Sequence, residues 1–181
     1  AVLHPIISRD AVAAALIMQE QADAAPAPSA EQLEAEQLFE SGYRKARLMS
    51  NFSGAIEDYT KQISIDAENV DSYFLRGMAR HHLKQFDAAI SDFTKTLELE
   101  STNSDAYYWR SLSKEQLKNI AGATEDCDSA IKLKPQDAKY YLQRGKLRLF
   151  LKKETDACND FSIFKALGGD ITQIPNSCKK S

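Results

Sequence analysis

The chain has 181 residues, of which 43% are hydrophobic and 27% charged, and its formal net charge is −3 at pH 7. This length corresponds to about one domain. The charge balance argues against nucleic-acid binding, which usually requires a basic excess. No apolar run reaches the roughly 18 residues that a membrane-spanning helix needs, so we predict no membrane span.

The first 30 residues differ in pattern from the rest of the chain. We predict an N-terminal extension over residues 1–30, with a helix over about residues 9–22 that a side chain at its start can cap. Residues 24–30 are rich in alanine and proline and are expected to form an extended linker. The apolar side of the predicted helix is formed by Val12, Leu16 and Ile17.

A repeat of 34 residues dominates the remaining sequence. Alanines recur at this spacing, each followed three positions later by an aspartate and, with one exception, four positions later by an aromatic residue. These columns are Ala55, Ala89, Ala123 and Ala157, then Asp58, Asp92, Asp126 and Asp160, then Tyr59, Phe93, Cys127 and Phe161. Two further columns are Gly77, Ser111 and Gly145, and before them Arg76, Arg110 and Arg144.

Each period is predicted to contain two antiparallel helices. Apolar residues recur at intervals of three and four positions, for example over residues 72–84 and 87–99, which indicates helices. Polar links separate the periods, and Pro135 stands where a helix is expected to end. The small residues are expected where the two helices of a pair cross closely. We expect the aromatic residue to fill the space between neighbouring pairs.

The pattern resembles the tetratricopeptide repeat family over residues 34–169, most clearly in residues 73–77 and 86–93. The resemblance implies an all-α fold: a right-handed superhelical array of four helix-turn-helix repeats with an N-terminal helical extension. We place the repeats at about residues 34–69, 70–103, 104–137 and 138–171, within a region that spans 31–171. Residues 172–181 are expected to form a short C-terminal cap or tail.

Three repeats depart from the pattern. Gly42 stands thirteen residues before Ala55, where later repeats have twelve, which predicts an extra residue in the first inter-helix turn. The third repeat has Cys127 in the aromatic column, and the fourth has Phe164 where an alanine stands one period earlier. Terminal repeats are often atypical because one of their faces lacks a neighbour.

The arginine column lies 18 residues after the aspartate column of the preceding repeat. In stacked helix pairs, this spacing predicts an ion pair across each repeat interface. A partly buried arginine needs such a partner because an unpaired buried charge is costly. We expect these pairs to be structural. The predicted pairs are Arg76–Asp58, Arg110–Asp92 and Arg144–Asp126.

In this family the first helix of each pair lines a concave groove, and here the side chains expected there are mainly large and apolar. Exposed apolar patches commonly mark interaction sites, and Trp and Tyr are frequent interface anchors. The alternative is that some of these side chains point into the core. The predicted groove residues are Phe39, Tyr43, Phe74, Leu75, Met78, Tyr108, Trp109, Leu112, Leu142, Lys146 and Phe150.

The family's charged grooves bind a C-terminal carboxylate through Lys and Asn residues, but the corresponding places here hold Phe39, Tyr43, Leu75 and Trp109. We therefore predict no carboxylate clamp, but a non-catalytic protein–protein interaction module that binds an apolar or amphipathic peptide or helix. The alternative is a structural oligomerisation module. There the N-terminal helix docks into its own groove or a neighbour's, the latter giving a homodimer through residues 1–24.

We expect no enzyme, cofactor or metal site. The sequence has no phosphate-binding glycine loop, nucleophile elbow or His-Glu-x-x-His motif. His81 and His82 are adjacent on one helix. Their side chains therefore diverge by about 100° and cannot form a metal pair with each other.

The three cysteines match no zinc signature. Cys127 is expected to be a buried thiol, whereas Cys158 and Cys178 are predicted to form a disulfide in an oxidising compartment. Free thiols in a cytosolic protein are the alternative. Because the sequence begins with Ala1, we expect a processed or truncated chain, at the cell envelope if a secretory signal was removed and cytoplasmic otherwise.

Overall fold

A computed structural model describes residues 27–178, which form eight α-helices and no β-strand. Two short 3-10 turns follow the last helix. The predicted helix over residues 9–22 lies outside the described residues. The helices are α1 Ala30–Met49, α2 Phe52–Ile65, α3 Val70–His82, α4 Phe86–Leu99, α5 Ser104–Gln116, α6 Ile120–Leu133, α7 Ala138–Phe150 and α8 Glu154–Ala166, and the turns are Ile171–Gln173 and Asn176–Cys178.

The helices pack as four consecutive pairs. The two helices of each pair make the largest contacts, and the second helix of each pair packs on the first helix of the next. First helices of successive pairs also touch, α1 against α3 and α3 against α5. The predicted array of four helix-turn-helix units is confirmed. The first helices share one side of the array.

Short polar side chains mark where most of these helices begin. An asparagine or aspartate side chain accepts a hydrogen bond from a backbone N–H in the first turn of five helices, and α1 begins with a capping box between Ser29 and Gln32. Such caps satisfy N–H groups that lack an intrahelical partner, and each stabilises by about 1 kcal/mol. The capping residues of the five helices are Asn51, Asn69, Asn103, Asn119 and Asp137.

The extra residue of the first repeat lies in the last turn of α1, so the prediction that it lies in the inter-helix turn is wrong. The N–H groups of Ser50 and Asn51 both bond to the carbonyl of Lys45. In the second repeat the equivalent closing bond, from Gln85 N–H to the carbonyl of Arg80, spans one residue fewer. The widened turn forms at a helix end, where the last carbonyls have no other intrahelical partner.

The aromatic residue of each second helix lies against the small residue of the first helix in the same pair. A Cβ atom added to Gly77 would stand 2.7 Å from the ring of Phe93, and one added to Gly145 would stand 2.8 Å from that of Phe161. Only a glycine allows this approach. We expected the aromatic residue to fill the space between neighbouring pairs; the contacts described here lie within its own pair.

In the third repeat both members of this contact differ together. Ser111 replaces the glycine and Cys127 the aromatic residue, and their Oγ and Sγ atoms lie 3.1 Å apart with both side chains fully buried. A larger residue on one helix is thus matched by a smaller one on the other. Burial raises the pKa of the Cys127 thiol to about 12, so the expected buried, protonated thiol is present.

This matching predicts a compensating pair of substitutions. Cys127→Phe alone should destabilise the protein by about 1–3 kcal/mol, because the ring overlaps the Ser111 side chain. Adding Ser111→Gly should recover most of that loss, since the pair then has the composition of the second and fourth repeats. Urea unfolding of both single variants and the double variant measures the coupling. Additive losses would contradict the proposed packing.

The aspartates of the repeated column bind cations of their own helix pair, so the predicted pairs with the arginine of the next repeat are wrong. Asp92 binds Arg76 and Arg80, each at 2.8 Å, and Asp58, the predicted partner of Arg76, binds Lys45 at 2.7 Å. The aspartate 16 residues ahead lies on the antiparallel helix of the same pair, nearer than the one 18 residues behind. The other pairs are Asp126 with Arg110 and Lys114, and Asp160 with Arg144 and Arg148.

Each arginine of the repeated column also contacts the preceding helix pair. Arg76 Nη1 donates to the Thr60 hydroxyl at 3.0 Å, two residues beyond the predicted aspartate. The first repeat has Ser41 in this column and no described pair before it. The arginine is thus present wherever there is a preceding pair to bind. The corresponding contacts are Arg110 with the Thr94 hydroxyl and Arg144 with Asp128, the latter an ion pair of 2.7 Å across the interface.

The C-terminal end of the array is closed by a small apolar cluster and a disulfide. Cys158 of α8 is bonded to Cys178, with their Cα atoms 4.9 Å apart. Helix α8 ends at Ala166, and Gly168, two residues later, has a φ of 85° that favours glycine. The segment after it folds back, so that Ile174 and Cys178 cover Phe164 and its neighbours.

Candidate functional site

An apolar cavity of about 290 Å³ lies between the first two repeats. Its walls come from the second half of α1, from α2 and from α3. Three predicted groove residues, Tyr43, Leu75 and Met78, meet there. We call this the apolar cavity; its lining residues are Tyr43, Ala46, Arg47, Phe52, Tyr59, Leu75, Met78, Ala79 and His82.

Tyr59, one of the lining residues of this cavity, carries a polar group without a partner. The side chain is fully buried, and its hydroxyl has no hydrogen-bond partner. Burial, followed by the nearby Tyr43 and Asp58, raises the pKa of Tyr59 well above its ordinary value, so the hydroxyl stays protonated. An unpartnered buried hydroxyl costs about 1–3 kcal/mol. A ligand that offers it an acceptor would recover part of that cost.

Aromatic side chains continue the face from the apolar cavity towards α5. Phe52 stacks on His82 with ring centroids 4.6 Å apart, and His82 lies 5.8 Å from Trp109. His81 contacts the other side of this cluster, 5.3 Å from Trp109, and its Nδ1 lies 2.9 Å from the Ser113 hydroxyl. Burial, then the neighbouring His82, lowers the pKa of His81. The histidines therefore belong to an aromatic cluster.

An ion pair joins α5 and α7. Lys139 Nζ lies 2.7 Å from Asp105 Oδ1, and the Tyr140 hydroxyl donates to the same oxygen at 3.1 Å. Burial alone would raise the pKa of Asp105, but hydrogen bonds from Lys139 and Tyr140 outweigh it and lower the pKa. Lys139 also covers the ring of Tyr108, 5.5 Å from its centroid. Tyr108, one of the predicted groove residues, is therefore partly covered by Lys139.

The remaining predicted groove residues are dispersed. Phe39 and Phe74 are half-buried and pack against the aromatic residue of their own pair, at 6.0 Å and 5.9 Å. Leu142 packs against the C-terminal cluster, and Leu112 is half-buried. Lys146 and Phe150 are exposed at the far end of the array. The structure thus brings only part of the predicted strip into one cavity.

Sequence analysis missed Phe52 and Arg47 at the apolar cavity. Phe52 begins a second helix, whereas the prediction considered only first helices. Arg47 follows the first-helix spacing of Phe39 and Tyr43, and its guanidinium lies 5.7 Å from the Tyr43 ring centroid. The first-helix spacing alone, applied to every residue type, would have found it.

Residues 27–178 contain neither a metal-binding cluster nor a membrane-spanning helix. No group of three or more His, Cys, Asp or Glu side chains in this range could hold a metal ion. None of its helices combines the length and apolar character needed to cross a membrane.

Comparisons with known proteins agree with this architecture. A model of the tetratricopeptide repeat family matches residues 70–103 and 104–137, while no curated protein matches the sequence. The crystal structure of MamA is similar, with a TM-score of 0.72 and 21% identity over 88% of each chain.

Two shorter domains cover part of the array. The first tetratricopeptide repeat domain of Spaghetti (RPAP3), bound to the HSP90 peptide SRMEEVD, has a TM-score of 0.64 and 25% identity over 66% of this chain and 94% of that one. The Arabidopsis OM64 domain has a TM-score of 0.64 and 26% identity over 66% and 98%. Residues 70–137 of this chain thus match the tetratricopeptide repeat family, and the array has the fold of these domains.

Proposed function

We propose that this chain is a non-catalytic protein-interaction module that binds an apolar or amphipathic peptide or helix on the face of its first helices. The apolar cavity carries the proposal. It combines apolar walls with the unpartnered hydroxyl of Tyr59. Leu48 and Met49, which follow the lining residue Arg47 along α1, are 75% and 66% exposed. Large apolar side chains exposed together are typical of interaction surfaces.

The cavity has room for part of a peptide. Its volume of about 290 Å³, at the lower end of the range of about 300–1,000 Å³ for ligand sites, suits one or two large side chains. The Tyr59 hydroxyl could then donate to a peptide carbonyl beside the inserted side chain. This combination of an apolar anchor and a buried donor would fix both the position and the direction of the peptide.

Relatives of the same fold support peptide binding but not the same peptide. The RPAP3 domain described above is bound to SRMEEVD, and its second domain is in complex with the HSP70 peptide SGPTIEEVD. Both peptides are rich in acidic residues. The first-helix face of this chain presents Tyr43, Leu75 and Trp109, so we propose an apolar anchor for its partner.

Replacing an exposed lining residue tests the cavity. Tyr43 is 38% exposed, so Tyr43→Glu should leave the fold intact while placing a charge at the cavity. Peptides selected on the full chain from a phage library of random dodecapeptides should carry large apolar residues. They should bind Tyr43→Glu at least about tenfold more weakly. Leu117→Glu, which alters another exposed apolar residue outside the cavity, is the matched control.

Equal binding to the two variants would contradict the proposal. A failure to select any peptide, together with self-association of the full chain that Leu16→Glu abolishes in sedimentation, would instead support the oligomerisation alternative.

Removal of the Tyr59 hydroxyl is expected to raise the stability of the protein and to lower its affinity for peptides. Tyr59→Phe removes an unpartnered buried group and should raise the free energy of unfolding by about 1 kcal/mol. If the hydroxyl donates to the bound peptide, the same variant should bind the selected peptides about fivefold more weakly. Thermal unfolding and fluorescence titration give the two values. A more stable variant with unchanged affinity would exclude the hydroxyl from the binding site.

A further inference from the structure

A second opening between the first two repeats has a different character. It lies at the beginning of α1, the end of α2 and the beginning of α3, and has a volume of about 1000 Å³. None of its lining residues is a Lys, Arg or His. We call it the acidic cleft; its carboxylates are Glu31, Glu36, Glu40, Asp66 and Asp71.

Within residues 27–178 these carboxylates form no ion pair. The next repeat shows how such a group can be neutralised. Asp105 occupies the position of Asp71 one period later, and Lys139, a further period on, binds it. The residue one period after Asp71 is Asp105, whereas the residue one period after Asp105 is a lysine. Asp71 therefore has no lysine at the corresponding position. The first repeat boundary therefore retains negative charge that the third boundary neutralises internally.

Gln62 provides an independent indication of a missing partner. Its side chain lines the acidic cleft, is 2% exposed and has no hydrogen-bond partner for Oε1. The equivalent residue of the second repeat, Thr96, donates to the carbonyl of Asp92, and that of the third is the apolar Ala130. Within this column of the described repeats, only Gln62 buries an acceptor with nothing to accept from. Such a group is costly unless a donor reaches it.

We propose that the acidic cleft binds the cationic side chain of a lysine or arginine in a protein partner. The N–H groups of that side chain would donate to Gln62 Oε1 and face the carboxylates of Glu36, Glu40 and Asp71. The carboxylates do not converge closely enough for a metal ion. An ammonium or guanidinium group on a flexible stem can reach dispersed acceptors, because it carries several N–H donors.

The inference rests on the proposed function and extends it to a two-part site. Phe39 lines the acidic cleft, and Tyr43, one helical turn later, lines the apolar cavity. The two side chains are therefore about 6 Å apart along α1. A short peptide segment can span that distance. The partner is then a segment with a basic residue close to a large apolar residue.

Two matched peptides separate the charge from the apolar anchor. Acetyl-Lys-Ala-Ala-Leu-amide and acetyl-Met-Ala-Ala-Leu-amide differ in one unbranched side chain, which is a cation with N–H donors in the first peptide and apolar in the second. In NMR titrations of the full chain, both should shift the amide signals of Ala46 and Met78. Only the lysine peptide should shift those of Glu36 and the Gln62 side chain. The lysine peptide should bind about fivefold to tenfold more tightly at low salt.

A charge-removing variant and its control complete the test. Glu36→Gln with Glu40→Gln should remove the advantage of the lysine peptide and leave the methionine peptide unchanged. Glu57→Gln with Glu125→Gln removes the same net charge from exposed positions outside the cleft and should change neither. This control distinguishes the cleft from the general field of an acidic protein.

The other outcomes of these titrations overturn one or both of the proposed binding surfaces. Equal binding of the two peptides would overturn the acidic cleft and leave the apolar cavity standing. No shift at either place would overturn both. The chain's own Arg9 is a competing occupant. If Arg9→Gln in the free chain shifts the Gln62 and Glu36 signals and strengthens binding of the lysine peptide, the cleft holds an internal segment, and the proposal of an external partner fails.

Discussion

The structure depends on a buried aspartate that binds two cations from the facing helix. Asp92 is 2% exposed, and Arg76 and Arg80 approach it from successive turns of α3. A buried carboxylate is tolerated only when its charge is paired and hydrogen-bonded. Two cations four residues apart can meet one carboxylate only at a single register of the two helices. Because Arg76 also donates to Thr60, the same contact stacks one pair on the preceding pair.

This repeated contact places the first helices in equivalent positions, so function depends on the residues that differ between repeats. At the first boundary the lining is apolar around Met78 and acidic around Glu36. The second boundary is filled by histidines against Trp109, and the third is closed by Lys139 on Asp105. The proposed binding capacity therefore concentrates at the N-terminal boundary.

The repeat and its helix pairs could be predicted because they depend on spacing: small residues, aromatic residues and alanines recur every 34 positions. The partner of each arginine could not be predicted in this way. Asp58 and Asp92 lie at similar distances from Arg76 along the sequence, and only the packing of the helices distinguishes them. The two cavities could not be predicted from the sequence pattern either. They include residues of second helices, such as Phe52 and Gln62, whose exposure depends on how neighbouring pairs stack.

Double-mutant cycles around Arg110 test the central contact most directly. One cycle combines Arg110→Met with Asp126→Leu, and the other combines it with Asp92→Leu, each followed by urea unfolding. The structure predicts a coupling of about 2 kcal/mol for Arg110 with Asp126 and a value near zero for Arg110 with Asp92. A coupling that is larger with Asp92 would show that Arg110 pairs with the preceding repeat, and it would contradict the register on which both proposed binding surfaces rest.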